Sequence, residues 1–200
     1  MRIYKILKKT NAEGPGNRFC IWVQGCSRHC KGCFAKETWD FSAGREYSAE
    51  ELFAMINSQE NIEGVTFLGG EPFEQASEVL KLTKLIKAKN LSVVCFTGFK
   101  IEDLKSQNNN IINELLDNID LLIDGEFQQD KFDLSRPWIG SSNQRYIFLS
   151  NRYKLRDIMK YRNRVEIRIS EDGRLVMNGM GNFETLKSDI CLQDYKNIVK

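Results

Sequence analysis

Residues 19–33 read FCIWVQGCSRHCKGC. Five apolar residues, Phe19 to Val23, lead directly into three cysteines spaced Cys26-x3-Cys30-x2-Cys33. An apolar run of this length, ended by a glycine, reads as a buried strand. The turn after it carries chemistry, because three thiolates in one short loop can chelate one metal centre and select zinc or an iron-sulfur cluster. Gly25 and Gly32 let the backbone bend around such a centre. Structural zinc takes four ligands, and the single histidine, His29, adjoins Cys30, where joint chelation is awkward. A cuboidal cluster on three cysteines leaves one iron open to a substrate or cofactor. The competing expectation is a closed site that only staples the loop, with Cys20, Cys95 or Cys191 as fourth ligand. Cys20 and Cys95 lie inside FCIWV and LSVVCF, where cysteine behaves as a small buried hydrophobe, and Cys191 stands in a polar tail without a readable signal.

Working outward, short apolar runs alternate with helical patterns, the signature of βα units around a largely parallel sheet. Ser48 with Glu51 resembles a capping box opening a helix to about Asn57. GVTFL reads as a strand ending at Gly69, residues 73–89 as a helix burying Val79, Leu82 and Ile86, and LSVVCF as the next strand. A helix over 101–116 is weakened by Gln107, Asn108, Asn109 and Asn110, which favour turns. IDLLID and RYIFLS read as strands, and VEIRI with RLVMN as a hairpin around SEDG. Glycine-rich or charged groups, GCSRHCKGC, GGEP, TGF and DGEF, follow four successive strands. In such architectures chemistry gathers at the carboxyl ends of strands, so one shared pocket is expected.

At 42% hydrophobic and 28% charged residues the 200-residue chain is expected to fold as one globular domain without disulfides. The start MRIYKILKKT is too charged for a signal peptide and no apolar stretch could span a bilayer, so no membrane and a cytoplasmic location are expected. A net charge of +2 does not imply nucleic acid. Between Arg152 and Arg168, however, seven basic residues face two acidic ones. That run reads as a solvated basic face or as a surface for an acidic partner.

GGEP alone is a strand-to-helix turn. Its pairing with CxxxCxxC one strand earlier resembles the radical S-adenosylmethionine superfamily. The resemblance implies an open, partial α/β barrel and a 4Fe-4S cluster on Cys26, Cys30 and Cys33. It also implies S-adenosylmethionine bound at the open iron, with Gly69, Gly70 and Glu71 toward its amino group and not toward the cluster. EGPGNRFCIWVQGCSRHCKGCFAKETWDFSAGREY, FLGGEPF, FTGF, LLIDGEF and WIGSSNQR, in that order, further resemble the activating proteins of anaerobic ribonucleotide reductase. The implied function is reductive cleavage of S-adenosylmethionine to a 5'-deoxyadenosyl radical that abstracts hydrogen from a glycyl radical enzyme, with flavodoxin or a similar protein as electron donor. The alternatives are a small radical enzyme acting on a peptide or metabolite, and a non-catalytic iron-sulfur carrier or binding module. Phe34 is placed near the adenine by the superfamily pattern, or else in the core. Asp124 reads as a ribose ligand or a turn cap, and Thr97 and Asn143 are further candidates for cofactor binding. Arg136, Trp138 and Arg145 read as loop packing and surface charge. Two departures stand out: Ala35 and Lys36 replace the family's Asn-Pro, and the chain continues past Asn151. Residues 1–150 are expected to form the core, and 151–200 a basic helix and hairpin extension packed on it.

Overall fold

In the computed structural model, which describes residues 1–169, 171–173 and 175–181, the run around FCIWV is an interior strand whose six residues are all buried. The elements are β1 (Arg2–Thr10), β2 (Arg18–Val23), β3 (Arg45–Glu46), α1 (Ala49–Asn57), β4 (Gly64–Gly69), α2 (Ala76–Ala88), β5 (Ser92–Phe96), α3 (Ile101–Ser106), α4 (Asn110–Asp117), β6 (Leu121–Asp124), β7 (Arg145–Phe148), α5 (Leu155–Ile158), β8 (Val165–Ile169) and β9 (Leu175–Gly179). Seven strands form one sheet, ordered β3-β1-β2-β4-β5-β6-β7. The inner four, β2, β4, β5 and β6, are parallel, and antiparallel strands border them on both sides. The protein is a mixed α/β fold built on this sheet.

One face of the sheet carries the helices. Phe19, Ile21, Phe67, Val93 and Leu122 pack there against Leu52 and Ile56 of α1, Val79, Leu82 and Ile86 of α2, and Leu115 of α4. Spacings of three and four residues put each helical set on one side of its helix. The capping box opening α1 is complete: Ser48 accepts from the Glu51 N–H and Glu51 accepts from the Ser48 N–H. The opposite face is closed largely by later chain, with Trp138, Ile139, Tyr153 and Ile158 over Val94, Leu121 and Ile123. Because both faces are covered, the inner strands are buried along nearly their whole length and mostly apolar, without a regular alternation.

The structure corrects the sequence reading at three places. The helix expected over 101–116 is two helices, because Asn108 takes a left-handed conformation (φ 50°) and the Asn109 side chain caps α4 at the Ile111 and Ile112 N–H groups. The N-terminal segment, read only for its charge, is the nine-residue strand β1. The helix expected in the basic segment is a single turn, α5.

Tyr153 lies close behind Asn151 and is buried, its hydroxyl 2.5 Å from Glu63 Oε1 and 2.7 Å from Ser92 Oγ. Strands β8 and β9 pair antiparallel, with Ile167 opposite Met177. Asn178 of β9 donates to Thr10 Oγ1 at 3.1 Å and to Glu13 Oε1 at 3.3 Å. Cys191 lies outside the described residues. Among the described residues no helix is long and apolar enough to cross a membrane.

Candidate functional site

Parallel strands end on the same edge of a sheet, so the turns after β2, β4, β5 and β6 are neighbours. Val23 pairs with Gly69, and Phe96 with Ile123. The cysteine loop leaves β2 through Gly25, whose N–H donates to Thr38 O at 2.7 Å, while the Cys26 N–H donates to Trp39 O at 3.2 Å. Gly25 has φ +100°, and a Cβ there would strike the Phe41 ring. His29 has φ 47°, with its ring stacked on Trp39 at 4.6 Å. The single histidine thus has a packing role within the loop.

The Cys33 sulfur accepts from the Ala35 N–H at 3.4 Å, while backbone N–H groups of Arg28 and His29 face Cys26 and that of Phe127 faces Cys30. Burial pushes the Cys26 thiol up to about 11 and also raises Cys30. Bare thiolates are disfavoured at such positions, whereas iron ligation deprotonates a thiol outright, and N–H donors to sulfur tune iron-sulfur clusters. Among the described residues no three His, Cys, Asp or Glu side chains converge as a single ion requires. Three thiols on one short loop suit an iron-sulfur cluster, which Cys26, Cys30 and Cys33 would hold. Cys20 and Cys95, the expected small buried hydrophobes, are completely buried in two separate apolar clusters, one with Trp22 and Leu68 and the other with the helices.

The GGEP turn is fastened to this loop. The Gly70 N–H donates to Val23 O and the Glu71 N–H to Gly25 O, both at 2.9 Å. Gly69 has φ +98°, and a Cβ there would meet Trp22 Cα at 2.8 Å. The Glu71 side chain is buried and turned along the strand ends. It accepts from Phe73 N at 3.0 Å, Thr97 Oγ1 at 2.9 Å and Gly98 N at 2.8 Å, which ties the ends of β4 and β5 together. Burial pushes its carboxyl up to about 7 against these hydrogen bonds. The folded protein therefore holds this proton more tightly than the unfolded chain, where Glu titrates near 4.5. Glu71 costs no stability below about pH 4.5 and an increasing amount as pH rises toward 7. Melting temperatures of the cluster-free protein should fall more steeply over that window in wild type than in Glu71→Gln. Parallel curves would contradict the assignment.

The other candidates occupy the same edge. Asp124 is completely buried, accepting from Ile101 N at 2.9 Å and from Arg145 at 2.5 and 2.9 Å, so its carboxylate reaches a ligand only by releasing these partners. Arg145 also pairs with Glu102. Asn143 donates to Glu126 O at 2.8 Å, while its Oδ1 is buried without a hydrogen-bond partner. Phe34 is 51% exposed and meets Phe127 with ring centroids 4.9 Å apart, so it lies outside the core. Trp138 is buried with its ring 5.1 Å from Tyr161, and Arg136 bonds loop carbonyls at Ser142 and Gln144.

A cavity of about 740 Å³ lies between the cysteine loop and the chain after β6, with Arg28, Cys30, Glu126 and Phe127 on its walls. Arg28 and Glu126 escaped the sequence reading. The charge alternation of SRHCK and DGEF held no signal that the two side chains meet.

Comparison with known proteins agrees with this geometry. Residues 12–147 match the family described as 4Fe-4S single cluster domain. The anaerobic ribonucleoside-triphosphate reductase-activating protein of Escherichia coli (strain K12) is 32% identical over 140 residues, which is 66% of this chain and 88% of the relative. The proteins of the same name from Pasteurella multocida (strain Pm70) and Enterobacteria phage T4 are 33% and 30% identical, covering 66% of this chain and 87% and 85% of their own lengths. The crystal structure of QueE from Escherichia coli superposes on 48% of this chain and 51% of its own, with 27% identity and a TM-score of 0.41, too slight a likeness to decide the fold. Matched over two thirds of its length, with three thiols presented at the sheet's carboxyl edge, the chain belongs to the 4Fe-4S single cluster family of radical S-adenosylmethionine enzymes, among the anaerobic ribonucleoside-triphosphate reductase-activating proteins.

Proposed function

We propose that the protein cleaves S-adenosylmethionine reductively and passes the radical to a glycine of an anaerobic ribonucleotide reductase. The observation that carries this reading is the hydrogen bond from Glu71 N to Gly25 O, which joins the GGE turn to the first residues of the cysteine loop. Cys26, Cys30 and Cys33 would hold the cluster, which would supply the electron for reductive cleavage of S-adenosylmethionine to methionine and a 5'-deoxyadenosyl radical.

The chain's own residues bind and orient. Gly69 and Gly70 bring backbone within reach of the cofactor's amino group, and Glu71 holds that turn against β5 through Thr97 and Gly98. Asn143 Oδ1 offers an acceptor for a ribose hydroxyl, and Phe34 with Phe127 offers an aromatic wall for the adenine. Asp124 acts on the ribose side indirectly, by fixing Arg145 and the start of α3. No side chain is required as general acid or base. The sheet curves as a partial barrel around the cavity, and residues 151–200 form an extension packed on the 1–150 core. Its basic run suits an acidic partner, and a flavodoxin-type protein supplies electrons.

With the protein's own glycyl radical partner, reduced enzyme and S-adenosylmethionine are expected to give a glycyl radical doublet by electron paramagnetic resonance. 5'-Deoxyadenosine formed without any such signal on that partner would move the function to a peptide or metabolite.

A further inference from the structure

Arg28 lies between the first and second cysteines, and its guanidinium makes two contacts outside its own loop. Nη2 is 2.9 Å from Glu126 Oε2, beyond the end of β6. The guanidinium carbon lies over the Phe99 ring, 4.8 Å from its centre, beyond the end of β5. Nε is buried, and a Cβ on Gly98 would come within 3.1 Å of it, so the side chain fills its slot closely. Arg28 and Glu126 both line the cavity. The backbone bonds of the cysteine loop reach toward β4 and the 38–39 turn. Arg28 adds side-chain links from this segment to the β5 and β6 ends, beside the approach of the Phe127 N–H to the Cys30 sulfur.

We propose that Arg28 is a positioning residue, a clamp that holds the cysteine loop in register with the loops after β5 and β6 by pairing with Glu126 and covering Phe99. It acts on the cysteines through the loop and is not itself a ligand. The inference rests on the cluster-binding reading of Cys26, Cys30 and Cys33 and is independent of what the bound cluster does.

A planar guanidinium suits both halves of the contact, because it pairs with a carboxylate and stacks on an aromatic face. Arg28 and Glu126 are partly exposed, at 26% and 45% of their side chains, so solvent screens the pair and the effect should be moderate. Opening of the loop, and with it loss of iron to a chelator, should be about five-fold faster without the clamp, which is about 1 kcal/mol.

The test measures iron release to an excess of a strong chelator under anaerobic conditions, together with the melting temperature of the cluster-free protein. Arg28→Met keeps the apolar stem, and Glu126→Gln keeps the shape of the acid. Each should load its iron fully and release it several-fold faster. Release from the double variant should be no faster than from Arg28→Met, since both changes remove one contact. Arg28→Lys should recover part of the slow release, and cluster-free melting temperatures should fall by no more than the roughly 2–4 °C that about 1 kcal/mol represents in a chain of this size. Wild-type release rates in both single variants, or fully additive effects in the double variant, would overturn the proposal. A much larger loss of cluster-free stability would also overturn it, by making Arg28 a general packing residue. Failure to load iron in the wild-type protein would instead refute the cluster reading, and iron loading without 5'-deoxyadenosine formation would refute the proposed function while leaving the clamp standing.

Discussion

Replacing any one of Cys26, Cys30 or Cys33 by Ala is expected to abolish the cluster, with iron falling from about four per chain to background and the broad visible absorption of a 4Fe-4S centre lost. The three sulfurs sit on one loop, and among the described residues the other two cysteines, Cys20 and Cys95, are buried in apolar clusters away from it. Cys20 is buried beside Trp22 and Leu68, and Cys95 among the helices, so Ala at either position should leave iron content near normal. The cost there is a small cavity and a modestly lower melting temperature. Iron emptied by Cys95→Ala would establish a closed four-cysteine site in place of an open iron.

A second large effect is expected at Gly70. The resemblance alone assigned this residue to the cofactor's amino group, apart from the cluster. The structure puts it against Gly25 as well, since a Cβ on Gly70 would fall inside contact distance of the Gly25 carbonyl oxygen and 3.0 Å from the Val23 carbonyl oxygen. Backbone cannot swing aside as a flexible side chain can, and Gly25 leads straight into Cys26. Gly70→Val should therefore reduce both iron incorporation and S-adenosylmethionine binding, each by more than about ten-fold, because a clash with fixed backbone is of the class that costs several kcal/mol. Glu71→Ala, which removes a strut and introduces no clash, should keep iron content near normal while weakening S-adenosylmethionine binding. Parallel titrations of iron and of S-adenosylmethionine on the two variants separate the cases. Normal iron content in Gly70→Val would show that the cysteine loop does not depend on the GGE turn.

The cysteine loop was legible in the sequence because all three thiols lie within eight consecutive residues, where spacing alone points to the chemistry. The inner strands and α2 were legible for the same local reason, through apolar runs and helical periodicity. What escaped depends on distant chain. Strand β1 has register shifts between Ile3 and Lys5 and between Leu7 and Thr10, and these breaks scramble the alternation that marks a half-buried strand. The roles of Glu71 and Asp124 are set by Thr97, Gly98 and Arg145, partners more than twenty residues away that no local pattern connects. Phe34, expected near the adenine or in the core, instead lies outside the core and meets Phe127, a partner that the approach of the β2 and β6 ends supplies. Arg28 was hidden for a further reason, since a cation among cysteines reads as loop charge until Glu126 and Phe99 are seen beside it.

The most direct measurement of the central claim is a single-turnover assay on anaerobically reconstituted, chemically reduced protein with S-adenosylmethionine and no protein partner. The account predicts 5'-deoxyadenosine and methionine in equal amounts, abolished in Cys30→Ala and dependent on the reductant. A fully loaded 4Fe-4S cluster that is reduced in the presence of bound S-adenosylmethionine and yields no 5'-deoxyadenosine would contradict it, and would leave an iron-sulfur electron carrier in its place.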